Sequence, residues 1–348
     1  MKRNQEFFRG CLIGGAIGDA LGWPVEFLEL NEIIKRYGPN GIQDLQLSSS
    51  GKSEITDDTQ MTLFTAEGIL RAENRGRTKG ICHPPSVVAF AYQRWLLTQG
   101  HTRFEDYEWI YNGWLLGIKE LHARRAPGNT CVSALSSRKQ GSINEHINNS
   151  KGCGGVMRVA PAGLFYRNSE SFHRAAEFAA LTHGHPSGYL SAGALAFLIA
   201  SIIEEQDIET AVKNTLIELE KHKDSEECTH ILKQALGLSK SDFSDAESIS
   251  KLGEGWVGEE ALAISIYCAL KYQDDFKKAL ITAVNHSGDS DSTGAITGNI
   301  VGAYLGLNSI PTDWVDKVEL SDSILQIADD LLIEHRDTQE WWERYPGY

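Results

Sequence analysis

Two stretches of this 348-residue chain carry glycine at every fourth position: Gly10, Gly14, Gly18 and Gly22 near the start, and Gly294, Gly298, Gly302 and Gly306 near the end. On an α-helix a four-residue spacing puts each set on one face. Each interior glycine costs a helix about 0.8–1 kcal/mol relative to alanine. A row of four suggests that another backbone lies close against that face. The simplest arrangement packs the two helices together at the centre of a bundle. A chance run of small residues would look the same without the packing. If the helices do pack, Asp19 and Glu26, after the first, come near Asp289 and Asp291, just before the last.

The rest of the chain is also helical in pattern. Apolar residues recur at three- and four-residue spacing over 59–72, 86–98, 106–122, 170–182, 187–205, 208–222, 259–271, 274–284, 291–306 and 321–335. No period-2 strand of useful length appears; Gln43–Leu47 is the nearest. Residues 73–85 and 136–150 are polar, lack periodicity and read as loops. An all-α fold follows, with no repeat of fixed period and no low-complexity linker.

The formal charge of −14 argues against a nucleic-acid backbone or an anionic membrane surface as the main partner. It leaves room for a phosphate ligand, because bound metal would invert the local field. The start has a basic residue pair and an apolar run, but Asp19 and the glycines interrupt it, so it makes a poor signal peptide. No stretch is read as approaching the roughly 18 apolar residues of a membrane span. The six cysteines (Cys11, Cys82, Cys131, Cys153, Cys228 and Cys268) form no C-x-x-C pair. Scattered thiols of this kind fit a reduced, cytoplasmic protein better than a zinc ribbon or a disulfide framework.

Two acidic clusters carry the chemistry: Thr56-Asp57-Asp58-Thr59, and the run Ser287 to Thr293 with Asp289 and Asp291. Adjacent carboxylates repel, and each resists losing water, so near a core they call for a cation. The ligands are all oxygen, which suits hard divalent ions such as Mg²⁺ or Mn²⁺. The same residue types also make helix N-caps, and either cluster alone reads as well that way. A third motif is the glycine cluster Gly152, Gly154 and Gly155. Its backbone N–H groups could face an anion, with a helix starting near Val156 behind them. It lacks the lysine of a P-loop, and an ordinary glycine-rich turn would look alike.

Taken together, GCLIGGAIGDALGWPVEF (ending near Glu26), ITDDTQMTL, KGCGGVMRVAPAGL, ALTHGHP, GEGWVGEEALAISIYCAL and AVNHSGDSDSTGAITGNIVGAYLG resemble the ADP-ribosylglycohydrolase family, in that family's order and over residues 8–306. The resemblance implies a single domain over 1–348: an orthogonal all-α multi-helix bundle with two divalent metals, Mg²⁺ or Mn²⁺, in a central cleft. By motif position it implies Thr56, Asp57, Asp58, Asp289, Asp291 and Ser292 as metal ligands, with Ser292 standing where the family often has Thr. It implies Glu26, Asp58 and Asp289 as catalytic. Gly152, Cys153, Gly154, Gly155, Val156, Met157 and His183 would line the substrate site. Cys153 departs from the family's usual small polar residue or glycine, which leaves pocket shape open. Asp19 and Arg158 read as bracing residues. For His183 the other reading is a helix cap. Trp256 reads as cleft lining or, more commonly for a large aromatic ahead of a helix, as core.

The implied reaction is hydrolysis of the N-glycosidic bond between ADP-ribose and arginine on a modified protein. Other acceptors, such as serine or an O-acetyl group, stay open. So do a non-catalytic ADP-ribose binder, a protein that neutralises an ADP-ribosyltransferase toxin by contact, and a two-metal phosphohydrolase.

Overall fold

The two glycine rows meet. In the computed structural model, which describes residues 2–347, they lie on antiparallel helices in register: Gly10 against Gly302, Gly14 against Gly298, and Gly18 against Gly294. A Cβ on Gly10 would stand 2.5 Å from the Gly302 carbonyl oxygen and 2.7 Å from the Gly306 carbonyl carbon. Only glycine permits that approach, so the propensity loss is offset by backbone-to-backbone packing. The side-chain amide of Asn299 crosses the seam and donates to the Cys11 carbonyl at 2.8 Å. This pair is the most extensive helix contact in the molecule and forms its axis.

Around it the chain runs α1 (Gln5–Gly22), α2 (Leu30–Tyr37), α3 (Asp57–Lys79), α4 (Pro84–Thr98), α5 (Asn129–Ser136), α6 (Ala160–Phe165), α7 (Asn168–Ala180), α8 (Pro186–Ile203) and α9 (Ile208–Leu219). It continues through α10 (Glu226–Leu238), α11 (Asp245–Leu252), α12 (Gly258–Lys271), α13 (Phe276–Val284), α14 (Ser290–Leu305), α15 (Thr312–Lys317), α16 (Ser321–Ile333) and α17 (Gln339–Arg344). The glycine-rich partners are α1 and α14. Helices α13, α12, α16 and α3 pack around them, and α8 lies against α7, α6, α9 and α12. Among the described residues there is no strand, only isolated bridges such as Gly152 with Val257. The all-α expectation holds, and Gln43–Leu47 is irregular.

Three expectations change. Residues 106–122 form three 3₁₀ turns, Glu105–Ile110, Trp114–Gly117 and Lys119–His122, and no α-helix. Gly113 breaks the run at φ 119°, and a side chain there would meet Glu67 Oε1. The carbonyls a helix would have satisfied internally take tertiary donors instead: Arg94 Nη1 to Ile110 O at 3.2 Å and Arg71 Nη1 to Asn112 O at 3.0 Å. Both guanidiniums are buried beside the buried carboxylate of Glu67. Second, residues 73–79 are the last turns of α3, not loop. They are polar or glycine, with only Asn74 buried, so they show no apolar period, and Gly80 closes the helix in a left-handed cap. Third, α8 is an 18-residue helix of mean hydropathy 1.6, which matches a membrane span in length and composition. It is 89% buried inside the protein, so its all-round apolar surface belongs to a core helix.

Candidate active site

The site lies where α1 ends and α3 and α14 begin. Thr56 caps α3, its hydroxyl accepting from Asp58 N, and Asp289 stands in the cap position of α14. The two readings of the acidic clusters are therefore compatible: each cluster starts a helix, and both helix starts point to one cleft. Asp19, fully buried near the end of α1, ties the parts together. Its carboxylate accepts from Thr56 N at 3.0 Å, Thr56 Oγ1 at 2.9 Å, Thr59 N at 3.1 Å and the Thr59 hydroxyl. That is the bracing role expected of it. Thr56 Oγ1 also reaches Asp291 Oδ2 at 3.3 Å, which links α1 through α3 to α14.

A cavity of about 420 Å³ opens in front of this junction. Glu26, Asp57, Asp58, Asp289, Asp291 and Ser292 line its acidic end. Ligand oxygens of Glu26, Asp289 and Asp291 lie within 4.8 Å of one another. Thr56 is buried and is not among the residues that line the cavity, but its hydroxyl touches the carboxylate cluster at Asp291. The group is held in place by neutral donors: Gly128 N to Asp57 Oδ2 at 3.1 Å, Ser292 N to Asp291 Oδ1 at 2.9 Å, and the Cys153 thiol to Asp289 Oδ2 at 2.7 Å.

Burial pushes every one of these carboxyls upward, and their mutual repulsion adds to it. Glu26 rises to about 11, through burial and then the charges of Asp291, Asp289 and Asp57. Asp58 rises through burial and then Asp291, and Asp289 likewise. Asp57 rises through burial, against the bond from Gly128. Asp19 rises to about 7. The positive ends of α3 and α14 favour anions here, but they are too weak to hold so many. Two oxygens in this cluster, Glu26 Oε2 and Asp58 Oδ1, are buried with no hydrogen-bond partner. Crowded hard-oxygen donors with unpaired lone pairs fit a divalent cation such as Mg²⁺ or Mn²⁺.

The adjoining wall is the glycine segment. Cys153 N bonds Trp256 O at 3.1 Å and Gly258 N bonds Lys151 O at 2.8 Å, so the segment pairs with the start of α12. Lys151 anchors it further through an ion pair at 2.8 Å with Glu259. Gly152, Cys153, Gly154, Met157 and His183 face the cavity, whereas Gly155 and Val156 are buried behind and do not line it. No α-helix starts at Val156. A short 3₁₀ turn, Cys153–Gly155, occupies the segment, and α6 begins only at Ala160. Pro161 in its first turn sets that start.

His183 sits at the end of a relay. Arg158 donates to Thr182 Oγ1 at 2.7 Å, and Thr182 Oγ1 lies 2.8 Å from His183 Nδ1. Thr182 Oγ1 also lies 3.4 Å from Ala179 O, so it can serve Nδ1 as donor or as acceptor, and the other ring nitrogen, Nε2, lies on the side of Gly152. Burial and then the Arg158 charge push His183 down to about 3, so the ring is neutral. The helix-capping histidine is its neighbour: His185 Nδ1 accepts from Ser187 N at the start of α8. Trp256 is not core. It is 36% exposed at the rim, stacked on Phe27 with centroids 5.3 Å apart.

Phe27 and the segment from Ala126 to Cys131 also line the cleft and were absent from the sequence-based site. The Pro127-Gly128 pair marks a turn, which was the available signal, but nothing in a turn says that it faces a cleft.

Comparison with known proteins gives this arrangement its family. A model of the ADP-ribosylglycohydrolase family matches residues 2–341. An uncharacterised protein of Archaeoglobus fulgidus is 30% identical over 337 residues, covering 95% of this chain and 97% of that one. The ADP-ribosylarginine hydrolase Tri1 of Serratia proteamaculans is 26% identical, covering 93% and 78%. A solved structure titled ADP-ribosylglycohydrolase-related protein complex shares the fold, with a TM-score of 0.58 at 22% identity over 96% of this chain and 99% of its own. One family model thus runs through both helix starts, the glycine wall and the histidine relay, and the chain belongs to the ADP-ribosylglycohydrolase family.

Proposed function

We propose that this protein is a metal-dependent hydrolase that removes ADP-ribose from modified arginine on proteins. The observation that carries the reading is the cleft itself: crowded carboxylates with unpaired buried oxygens, adjoined by a glycine-lined wall with a neutral histidine. Two divalent ions, Mg²⁺ or Mn²⁺, would be held by Asp57, Asp58, Asp289 and Asp291 with the hydroxyls of Thr56 and Ser292. Bound there, they would neutralise the carboxylates and act as a template and Lewis acid for the ribose that bears the acceptor.

The protein's own groups do the rest. Gly152 and Gly154 let the diphosphate approach the backbone, and Nε2 of the neutral His183 meets the ligand from the same wall. The glycosidic bond from C1″ to the guanidino nitrogen breaks, hydroxide from water ends on C1″, and a proton ends on the departing guanidine. Glu26, whose Oε2 has no partner, holds and passes that proton. Asp58 and Asp289, as ligands, would offset the charge of the ions while the sugar becomes cationic. The resemblance of the whole chain to an ADP-ribosylarginine hydrolase supports arginine as the acceptor. Six unpaired cysteines support a reducing, cytoplasmic setting.

The test is incubation with Mg²⁺ and ADP-ribosylarginine, with products identified by mass. Free ADP-ribose and arginine are expected. AMP with 5-phosphoribosylarginine would mean a phosphohydrolase, tight ADP-ribose binding without turnover would mean a binder, and faster release from ADP-ribosylserine would overturn the acceptor.

A further inference from the structure

The outer face of α4 carries two neighbouring cavities unlike the cleft. One, about 370 Å³, is walled by Ile81, Cys82, Val87, Phe90 and Trp109, with Arg75 and His83 beside them. The other shares Phe90 and continues over Phe104, Ile110 and Leu135 to Arg138 and Lys139 on its rim. Ile81 is 75% exposed and Trp109 49%. Phe90 and Trp109 meet edge to face at 5.2 Å. Arg138, held at φ 61°, lays its guanidinium over the Phe104 ring at 4.6 Å. An exposed apolar surface bounded by cations is the composition of a docking site.

Charge says what it docks. The chain has 47 Asp and Glu against 33 Lys and Arg, yet among the described residues no carboxylate lines either cavity. Of the nearby cations, Arg77, Arg94, Arg103 and Arg125 are paired with carboxylates, whereas Arg138 and Lys139 stand on the rim of the second cavity. Screening at physiological salt acts over about 8 Å, so a partner at the rim of the second cavity responds to Arg138 and Lys139 more than to the net charge of the whole chain. Gln93 adds a buried, unpaired Oε1 in the second cavity, an acceptor for a backbone N–H.

Position says when it docks. Gly128 to Cys131, at the start of α5, line the cleft, and Leu135, at the other end of the same helix, lines the second cavity. Eight residues of helix span about 12 Å. A chain whose modified residue sits in the cleft could therefore lay its next few residues along this groove.

We propose that the groove binds an acidic segment with an apolar anchor, belonging to the ADP-ribosylated protein whose modified side chain occupies the cleft. The apolar side chain fills the pocket between Ile81 and Trp109, and carboxylates pair with Arg138 and Lys139. This rests on the proposed function for the identity of the partner but not for the binding itself. The groove selects among modified proteins, while the cleft reads only the ADP-ribose and its acceptor.

The test uses a fluorescent peptide of Glu, Asp and Leu, with and without a terminal ADP-ribosylarginine. Polarisation should show binding that weakens with salt, and Trp109→Ala and Lys139→Glu should each weaken it roughly tenfold. Both side chains are exposed, so the variants should fold, which far-UV circular dichroism checks. With the modified peptide, KM should rise by the same factor with kcat unchanged, and turnover of free ADP-ribosylarginine should not move. If ADP-ribosylarginine is not hydrolysed at all, the proposed function fails, and the unmodified peptide still reads the groove. No peptide binding, equal binding by both variants, or stronger binding of a single-stranded oligonucleotide would overturn the proposal.

Discussion

Gly18→Ala should do more damage than its single methyl group implies. On α1 a Cβ at this position would overlap the carbonyl oxygen and carbon of Gly294 and stand 2.9 Å from Ala295 N. Real Cβ contacts essentially never fall below 3.0 Å. The obstacle is backbone, so no rotamer change relieves it, and α1 and α14 must separate along their seam. Overpacking a core costs about 1–3 kcal/mol, and a rigid obstacle puts this case at or beyond the upper end. Alanine returns about 0.8–1 kcal/mol of helix propensity. A net loss of at least about 2 kcal/mol follows. Gly76→Ala is the control, because its Cβ would meet nothing nearer than Cys82 Cβ at 3.8 Å. It should gain up to about 1 kcal/mol. Urea denaturation followed by far-UV circular dichroism measures both. The seam also sets the spacing of Asp19 and Asp291, so Gly18→Ala should show a smaller rise in melting temperature with Mn²⁺. A Gly18→Ala protein as stable as Gly76→Ala would refute the close-packed seam.

Other outcomes follow from the cleft. Metal-free protein should lose stability as pH rises. Folded carboxyls lifted above their unfolded values of about 4 contribute fully below that pH. That contribution fades as pH climbs through Asp19 near 7 and towards Glu26 near 11. Melting temperature in EDTA should therefore fall from about pH 5 to about pH 8, and the increment from Mg²⁺ should grow over the same range; equal melting temperatures with and without Mg²⁺ would count against a cation site. Asp58→Asn removes a charge and a free oxygen without touching the fold. Activity should fall by about a hundredfold or more and the Mg²⁺ increment should shrink, while metal-free stability holds or rises, as calorimetry would show. Gly152→Val should weaken ADP-ribose binding by about 1–3 kcal/mol and leave Mn²⁺ binding intact, measured by titration calorimetry. Gly152 is the better probe than Gly154, where a Cβ would stand 2.9 Å from Cys131 Sγ and disturb packing as well.

The all-α class, the antiparallel pairing of the glycine-rich helices and the convergence of Glu26 with Asp289 and Asp291 were legible in the chain alone. Each rests on a local rule: a period of 3.6 for helices, the absence of Cβ for close approach, and like charges that need a partner. The family was legible too, because several motifs recur in order. What the sequence could not decide is which face each local feature presents. Gly152 and Gly155 look alike in KGCGGV, yet one lines the cleft and the other lies buried behind it, because pairing with Val257 orients the turn. Residues 106–122 have a helical period, but Arg71 and Arg94, distant in sequence, take the carbonyls. The apolar run of α8 matches a membrane span, and only its neighbours show that protein, not lipid, covers it. Local propensity chooses the element; partners far along the chain decide its register, its exposed face and what that face can bind.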